Sequence, residues 1–214
     1  MEYIRTWAER NNLRLNTSKS PEMLIPRGDG HWRVEPPPPL DLERVGSMVI
    51  LGVTIRDDLR TTSHVDEVLA ACSGSLHALR VLRARGLPPT ALQEVARATT
   101  ITRLLYAAPA WWGFASAEDR HRIERFMKKM QRFGYLSPTT KGIEEMIGEA
   151  EKRLMQAVIW NECHVLRNSF PAVQQRHYNF RHRSHDFKLP PKDDKNYISR
   201  ILYRKQYLTA HSIG

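Results

Sequence analysis

The feature that most constrains the fold is a change of hydrophobic period near residue 60. Upstream, residues 48–55 (MVILGVTI) form the only long apolar run that is rich in β-branched residues. That composition predicts one buried β-strand, in which Gly52 would mark a bulge or the close approach of another backbone. Downstream, apolar residues recur at the i, i+3, i+4, i+7 spacing of amphipathic helices. The sequence therefore predicts an α+β fold in which a small sheet is followed by helices.

The first 60 residues are expected to supply the rest of that sheet. Residues 1–12 have the apolar spacing of a short helix, and residues 13–15 and 22–26 are predicted to be strands of a hairpin-like unit around a polar turn. Residues 31–35 alternate like an edge strand. The four prolines at 36–39 predict a stiff, extended connector. The N-terminal part is thus expected to be a small β-sheet remnant with one helix.

Helical periodicity dominates the rest of the chain. Helices are predicted from Ser63 to a stop at Gly86, from Thr90 to Pro109, from an N-cap at Ser116, over residues 143–168, and after a cap at Asn196. They indicate three segments: a sheet region at 1–60, a helical bundle at 61–136, and a helical extension with a basic aromatic tail at 137–214.

The charge balance indicates the class of partner. With 33 Lys and Arg against 23 Asp and Glu, the formal net charge is +10, which favours a polyanion such as nucleic acid over a membrane surface. A basic protein with no nucleic-acid role is the alternative. The two cysteines are far apart in sequence, which predicts a reducing, intracellular compartment, nuclear or cytoplasmic. Met1 falls inside an apparent amphipathic helix, so we expect this chain to have been cut from a longer protein.

Two stretches could present cations to a nucleic acid. In the helix after Ser116, apolar residues including Ile123 and Met130 share one face, and the opposite face carries Arg125, Lys128, Lys129 and Arg132. That face either contacts phosphates or is simply solvated. In the tail at 177–191, Arg181, Arg183 and Lys188 alternate with aromatic residues. Such a tail suits backbone contacts and base stacking, or else it lies over the helices.

No catalytic pattern stands out among the residues themselves. His177, His182 and His185, with Asp186, have none of the spacings of zinc sites. Asp57 and Asp58 could in principle bind two Mg²⁺ ions, but their position at the end of the apolar run favours a turn or the approach to a helix. The sequence predicts neither a metal site nor a cofactor in this chain.

Four separated stretches nevertheless resemble one family in the same order. They are residues 11–20 (NNLRLNTSKS), residues 50–55 (ILGVTI) with Leu59 and His64, residues 105–111 (LYAAPAW), and residues 180–190 (FRHRSHDFKLP). Together they resemble the C-terminal half of reverse transcriptases from non-LTR retrotransposons of the LINE or jockey type. The resemblance implies the end of a polymerase palm, a helical thumb and a C-terminal extension that grip a template-primer duplex of RNA or RNA and DNA.

The same resemblance implies roles for individual residues. Lys19, in a box with Asn16 and Ser20, would lie near the incoming triphosphate and offset charge on the leaving pyrophosphate. Leu51, Gly52 and Val53 would form the primer grip, which brings the backbone close to the 3′ end of the primer.

Two departures from the family pattern limit what this chain is expected to do. Thr61 stands where the family usually has tryptophan. The metal-binding aspartates of the palm, and the upstream endonuclease, would lie before Met1. Mg²⁺ is therefore implied only for the full-length parent polymerase, and this chain is expected to bind nucleic acid without synthesising DNA.

Two other interpretations stay open. Residues 50–86 are similar to a short N-terminal segment of AlkB-homologue proteins, tRNA-modifying enzymes that join an iron and 2-oxoglutarate dioxygenase to a methyltransferase. Neither an iron triad nor a glycine-rich methyl-donor loop is present in the sequence. The remaining alternative is a basic helical interaction module that a host has repurposed.

Overall fold

The computed structural model describes residues 2–26, 35–173 and 187–204. The predicted α+β class is confirmed, since a two-stranded sheet near the N-terminus is followed by helices. The chain forms two compact units, Met1–His64 and Val65–Gly214, called unit 1 and unit 2 below. The three-segment division drawn from the sequence stays a prediction.

Unit 1 begins with the predicted short helix. Helix α1 spans Glu2–Arg10, and the chain leaves it through Asn12, which has a φ of 54°. Asparagine tolerates this left-handed conformation better than most residues. The side chain of Asn11 also donates to the carbonyl of Trp7 at 2.8 Å. The short helix predicted within residues 1–12 is confirmed.

The apolar run forms a β-hairpin, so the prediction of one buried strand was wrong. Strand β1 (Ser47–Ile50) pairs antiparallel with β2 (Val53–Arg56), with Ile50 opposite Val53. The chain reverses at Leu51 and Gly52, whose φ angles are 48° and 79°. Positive φ at both residues of a two-residue loop is the geometry that matches the twist of the flanking strands. Gly52 therefore serves a turn and not a bulge.

The strands predicted at 13–15 and 22–26 were also wrong. Pro21 precedes the second segment and Pro26 is its last residue, and each lacks the backbone donor that a sheet would need. What remains is an isolated bridge between Glu22 and Arg44. The Glu22 carboxylate reinforces it by accepting from Nε of Arg44 at 2.7 Å. Most of the edge strand predicted at 31–35 falls outside the described residues.

The turn geometry predicts that Leu51→Asn stabilises the hairpin. Leucine is strained at positive φ, whereas asparagine followed by glycine is a preferred pair for this turn. Because the Leu51 side chain is 87% exposed, little packing is lost. We expect a gain of about 0.5–1 kcal/mol, measured as slower amide hydrogen exchange over residues 47–56. Val49→Asn, in an exposed strand position, should give no such gain, and faster exchange in Leu51→Asn would contradict the turn.

Helix α2 spans Thr62–Ala84 and begins one residue before the predicted cap. Its buried side chains follow the predicted apolar spacing: Val65, Val68, Cys72, Leu76 and Leu79. Burial raises the pKa of the Cys72 thiol to about 11, although Arg103 acts in the opposite direction. After the last helical residue, Ala84, the chain turns at Gly86, whose φ of 85° confirms the predicted stop.

The second predicted helix is interrupted. It comprises α3 (Pro89–Ala96), a π-helical turn at Arg97–Ile101, and α4 (Thr102–Leu105). Ala107, with a φ of 49°, then separates the short helix α5 (Ala108–Trp111). A 3₁₀ turn follows at Trp112–Phe114.

The remaining helices are α6 (Ala117–Arg132), α7 (Ile143–Trp160) and α8 (Tyr197–Tyr203). Both predicted caps are confirmed, because Ser116 accepts from the Asp119 amide and Asn196 accepts from the Ile198 amide. Helix α7 ends eight residues before the predicted residue 168. The Asn161 side chain accepts from the Cys163 amide at 3.0 Å, and this local turn replaces the next helical turn. No described helix is long and apolar enough to cross a membrane.

Helix α8 is attached to α7 through a buried carboxylate. Glu151, with no exposed surface, pairs with Arg200 and with Nη1 of Arg204 at 2.9 Å. Arg200 also donates to the carbonyls of Pro109, Asp194 and Lys195. Apolar contacts between Met155 and the pair Ile201 and Leu202 complete the junction.

Candidate nucleic-acid interface

The two-sided character predicted for α6 is present in the structure. Ile123, Phe126, Met127 and Met130 are buried, whereas Arg125, Lys128, Lys129 and Arg132 are exposed. Lys128 lies 3.9 Å from Glu124. Neither Arg125 nor Lys129 has an ion pair within the described ranges. The core thus fixes the helix with its cations facing solvent, as a phosphate-binding face requires.

Two contacts show that α2 and α6 run in the same direction. Near their beginnings, Nη2 of Arg122 lies 2.5 Å from Oδ1 of Asp66. This hydrogen bond is the main reason that the pKa of Arg122 is raised. At their ends, Nη2 of Arg83 donates to the carbonyl of Phe133 at 2.5 Å. The C-terminal ends of both helices therefore lie side by side.

This arrangement brings two further arginines to the basic end of α6. Arg80 lies over the ring of Phe133, with its guanidinium carbon 5.2 Å from the centroid, and Arg132 lies 5.4 Å from the same centroid. Arg83 lies 4.0 Å from the ring centroid of Tyr135. The two rings meet edge to face, with centroids 6.5 Å apart. We call Arg80, Arg83 and Arg132, with these two rings, the arginine cluster.

The sequence did not reveal Arg80 and Arg83 as site residues. Their i, i+3 spacing in the last turns of α2 places them on one helix face. The sequence does not show that this face lies beside α6. Gly134 completes the geometry, since its φ of 74° turns the chain after α6. The amide of Tyr135 then donates back to the carbonyl of Met130 at 3.0 Å, which places the Tyr135 ring under Arg83.

Only part of the predicted basic tail can be located. Lys188 is exposed, and its amide donates to the carbonyl of Ala172 at 2.9 Å. In the described part of the chain, no hydrogen bond or ion pair joins it to the α6 face. Arg181 and Arg183 lie outside the described residues. So do His177, His182, His185 and Asp186.

In unit 1, the residues given roles by the resemblance lie in two local structures. Lys19 is exposed at the end of a 3₁₀ turn, Thr17–Lys19, which Asn16 stabilises by accepting from the Ser18 hydroxyl at 2.7 Å. Leu51 and Gly52 form the exposed hairpin turn, whereas Val53 is buried. Among the described residues, no hydrogen bond or ion pair links Lys19 to the hairpin.

The hairpin is also joined to the start of α2. The Thr54 amide donates to Nδ1 of His64 at 3.4 Å, and both residues are buried. Two members of the ILGVTI…His motif thus contact each other within unit 1.

The predicted turn at Asp57 and Asp58 is confirmed. Partial burial alone would raise the pKa of Asp58, but hydrogen bonds from the Arg60 amide and the Arg56 side chain outweigh it and lower the pKa. The carboxylate is thus already engaged within its own turn. Within the described ranges, no group of three metal-ligating side chains is found.

No protein-family model matches this chain, and neither a curated protein nor a solved structure matches it significantly.

Proposed function

We propose that this chain is a nucleic-acid-binding fragment of a non-LTR retrotransposon reverse transcriptase, without the catalytic centre of its parent. The observation that carries the binding proposal is the exposed basic face of α6, whose opposite face is fixed in the core. The four sequence stretches support the family assignment. The partner is RNA or an RNA and DNA duplex, and no membrane is involved.

The chemistry of the face suits a phosphate backbone. Lysine and arginine side chains on a helix displace condensed counterions when they approach phosphates, which gives sequence-independent affinity that falls with salt. Contacts of this kind position a duplex without specifying its sequence. That is the task of a thumb, which must hold template and primer of any sequence.

Unit 1 would contribute the end of the palm. In the full-length parent, Lys19 would offset charge on the leaving pyrophosphate, while the exposed turn at Leu51 and Gly52 would approach the primer end. Mg²⁺ belongs to the parent alone. Primer extension with Mg²⁺ or Mn²⁺ tests this proposal, because the isolated chain should incorporate no nucleotide. Appreciable incorporation would contradict the assignment as a catalytically empty fragment.

A double variant tests the basic face of α6. Arg125→Gln with Lys129→Gln removes two cations that have no ion pair within the described ranges. We expect weaker binding to a labelled RNA/DNA hybrid, and a log-log salt slope that is shallower by about 2, since each lost phosphate contact contributes roughly 0.9. Filter binding between about 50 and 200 mM salt measures both quantities.

Lys141→Gln is the matched control for that experiment. Lys141 is also an exposed cation, but it lies before α7 and pairs with Glu145 and Glu149. Its loss should leave the salt slope unchanged. If the wild-type chain does not bind the hybrid at low salt, the proposed nucleic-acid function fails, and an interaction module for a protein partner becomes the better interpretation.

A further inference from the structure

We infer that the arginine cluster is a phosphate site, which shares Arg132 with the basic face of α6 and binds neighbouring phosphodiesters of a nucleic acid through the N–H groups of its three guanidinium groups. This inference rests on the proposed function, because it takes the partner to be nucleic acid. Arg80 and Arg83, at the end of α2, extend the contacts of the α6 face, and planar guanidinium groups recognise the phosphates.

The first support is the number of unused donors. A guanidinium group has five N–H donors. Arg83 uses one on the carbonyl of Phe133, while Arg80 and Arg132 show ring contacts but no hydrogen bond or ion pair among the described residues. All three side chains are in exposed positions. Most of their N–H groups are therefore available to an anion.

The second support is the charge balance: none of the three arginines has an ion pair with a carboxylate in the described part of the chain. The C-terminal end of a helix carries a partial charge of about −0.5. The ends of α2 and α6 together offset roughly one of the three positive charges, and about two remain. The partial charges of the two helix ends thus compensate only part of the positive charge of the arginine cluster. A bound anion would compensate the remainder.

The third support is the stacking geometry, which favours phosphate over bases. Cation–π contact holds each guanidinium over a ring face, so the group is ordered before the ligand arrives. Tyr135 is only 1% exposed, and two arginines already lie over Phe133. The rings therefore position the arginines and are not available for base stacking.

The decisive variant keeps the net charge and replaces the planar guanidinium groups with ammonium groups. A triple variant with Arg80→Lys, Arg83→Lys and Arg132→Lys has the same net charge, but lysine can neither stack as a plane nor donate a paired set of hydrogen bonds. We expect about tenfold weaker binding to a labelled RNA/DNA hybrid, measured by fluorescence anisotropy at constant salt. Arg153→Lys, at an exposed position of α7 outside both the arginine cluster and the α6 face, is the control and should bind like the wild type.

Two further measurements separate a phosphate site from other causes. A hybrid with uncharged methylphosphonate linkages should bind weakly to the wild type, and hybrids of different base sequence should bind equally. If the triple variant does not fold, Arg80→Lys with Arg132→Lys retains the bond from Arg83 to Phe133. This double variant should lose about threefold to fivefold in affinity.

The possible failures are distinguishable. If the folded lysine variant binds the hybrid as tightly as the wild type, the arginine cluster is not a specific phosphate site, and the proposed function survives through general electrostatic attraction. If the methylphosphonate hybrid binds as tightly as the charged hybrid, phosphate recognition is also overturned. If the wild type binds neither hybrid at low salt, the inference and the proposed function both fail.

Discussion

Replacing Glu151 with glutamine is expected to lower the free energy of unfolding of unit 2 by about 3–5 kcal/mol. Glu151 is fully buried, and its carboxylate is the charge partner of Arg200, which is only 7% exposed. Removal of one member of a buried ion pair leaves the other charge uncompensated, which costs far more than the loss of a surface pair. The carbonyl contacts of Arg200 would keep that charge in place.

Chemical denaturation of the wild type and Glu151→Gln measures this effect. Glu149→Gln is the matched control, because Glu149 lies on the same helix and also has a cationic partner, Lys141, but it is exposed. That control should unfold at the same denaturant concentration as the wild type. Equal midpoints for all three proteins would show that the buried pair is not needed for the stability of unit 2.

The second large effect is expected from Gly113→Ala. A Cβ atom at this position would overlap with Nη1 of Arg200 and with the carbonyl oxygen of Lys195, and it would lie 2.8 Å from the carbonyl carbon of Lys195. Part of the obstruction is backbone, so a rotamer change cannot relieve it. We expect a loss of about 3 kcal/mol, the upper part of the usual range for overpacking, measured by the same denaturation.

Gly74→Ala is the control for the glycine substitution. Gly74 lies inside α2, and an added Cβ there would meet no atom within 4 Å. Alanine has the higher helix propensity, so this variant should gain about 0.5–1 kcal/mol. A Gly113→Ala protein as stable as the wild type would show that the 193–200 segment does not pack against Gly113.

Glu151 and Gly113 act on the same structure, because each contacts Arg200 from a different side. Either substitution should displace the 193–200 segment. Once the segment is displaced by one substitution, few of its contacts remain for the second substitution to break. The double variant is therefore expected to lose less stability than the sum of the two single variants.

Features that depend on a few adjacent residues could be predicted from the sequence. The Ser116 and Asn196 caps follow from a polar side chain placed before an apolar helical pattern, and the Gly86 stop follows from the freedom of glycine at positive φ. The two faces of α6 follow from the 3.6-residue period. Each of these features is determined by residues that are close together in the sequence.

The hairpin was missed because its turn contains leucine. Asn-Gly and Asp-Gly are the usual indications of a two-residue reversal, whereas Leu51-Gly52 continues an apolar run without interruption. Periodicity alone does not distinguish one buried strand from two short paired strands. The cost of leucine at positive φ is compensated by strand pairing, which is not visible in the local pattern.

The arginine cluster and the Glu151 junction could not be predicted because both depend on distant residues. Arg83 and Phe133 are 50 residues apart, and Glu151 and Arg200 are 49 residues apart. The sequence of a helix does not show whether an arginine in it faces solvent or a ring on another helix. Only the packing of α2 beside α6, and of α8 against α7, assigns these side chains their partners.

The shared direction of α2 and α6 also affects the energetics of folding. Two helices of one chain can point the same way only if the intervening chain travels back, here through α3, α4 and α5. Folding therefore performs electrostatic work, since it brings Arg132 close to Arg80 and Arg83, which lie far from it along the unfolded chain. By mass action, a polyanion that binds this gathered charge stabilises the folded state. A nucleic acid that binds as proposed would then also stabilise the fold of unit 2.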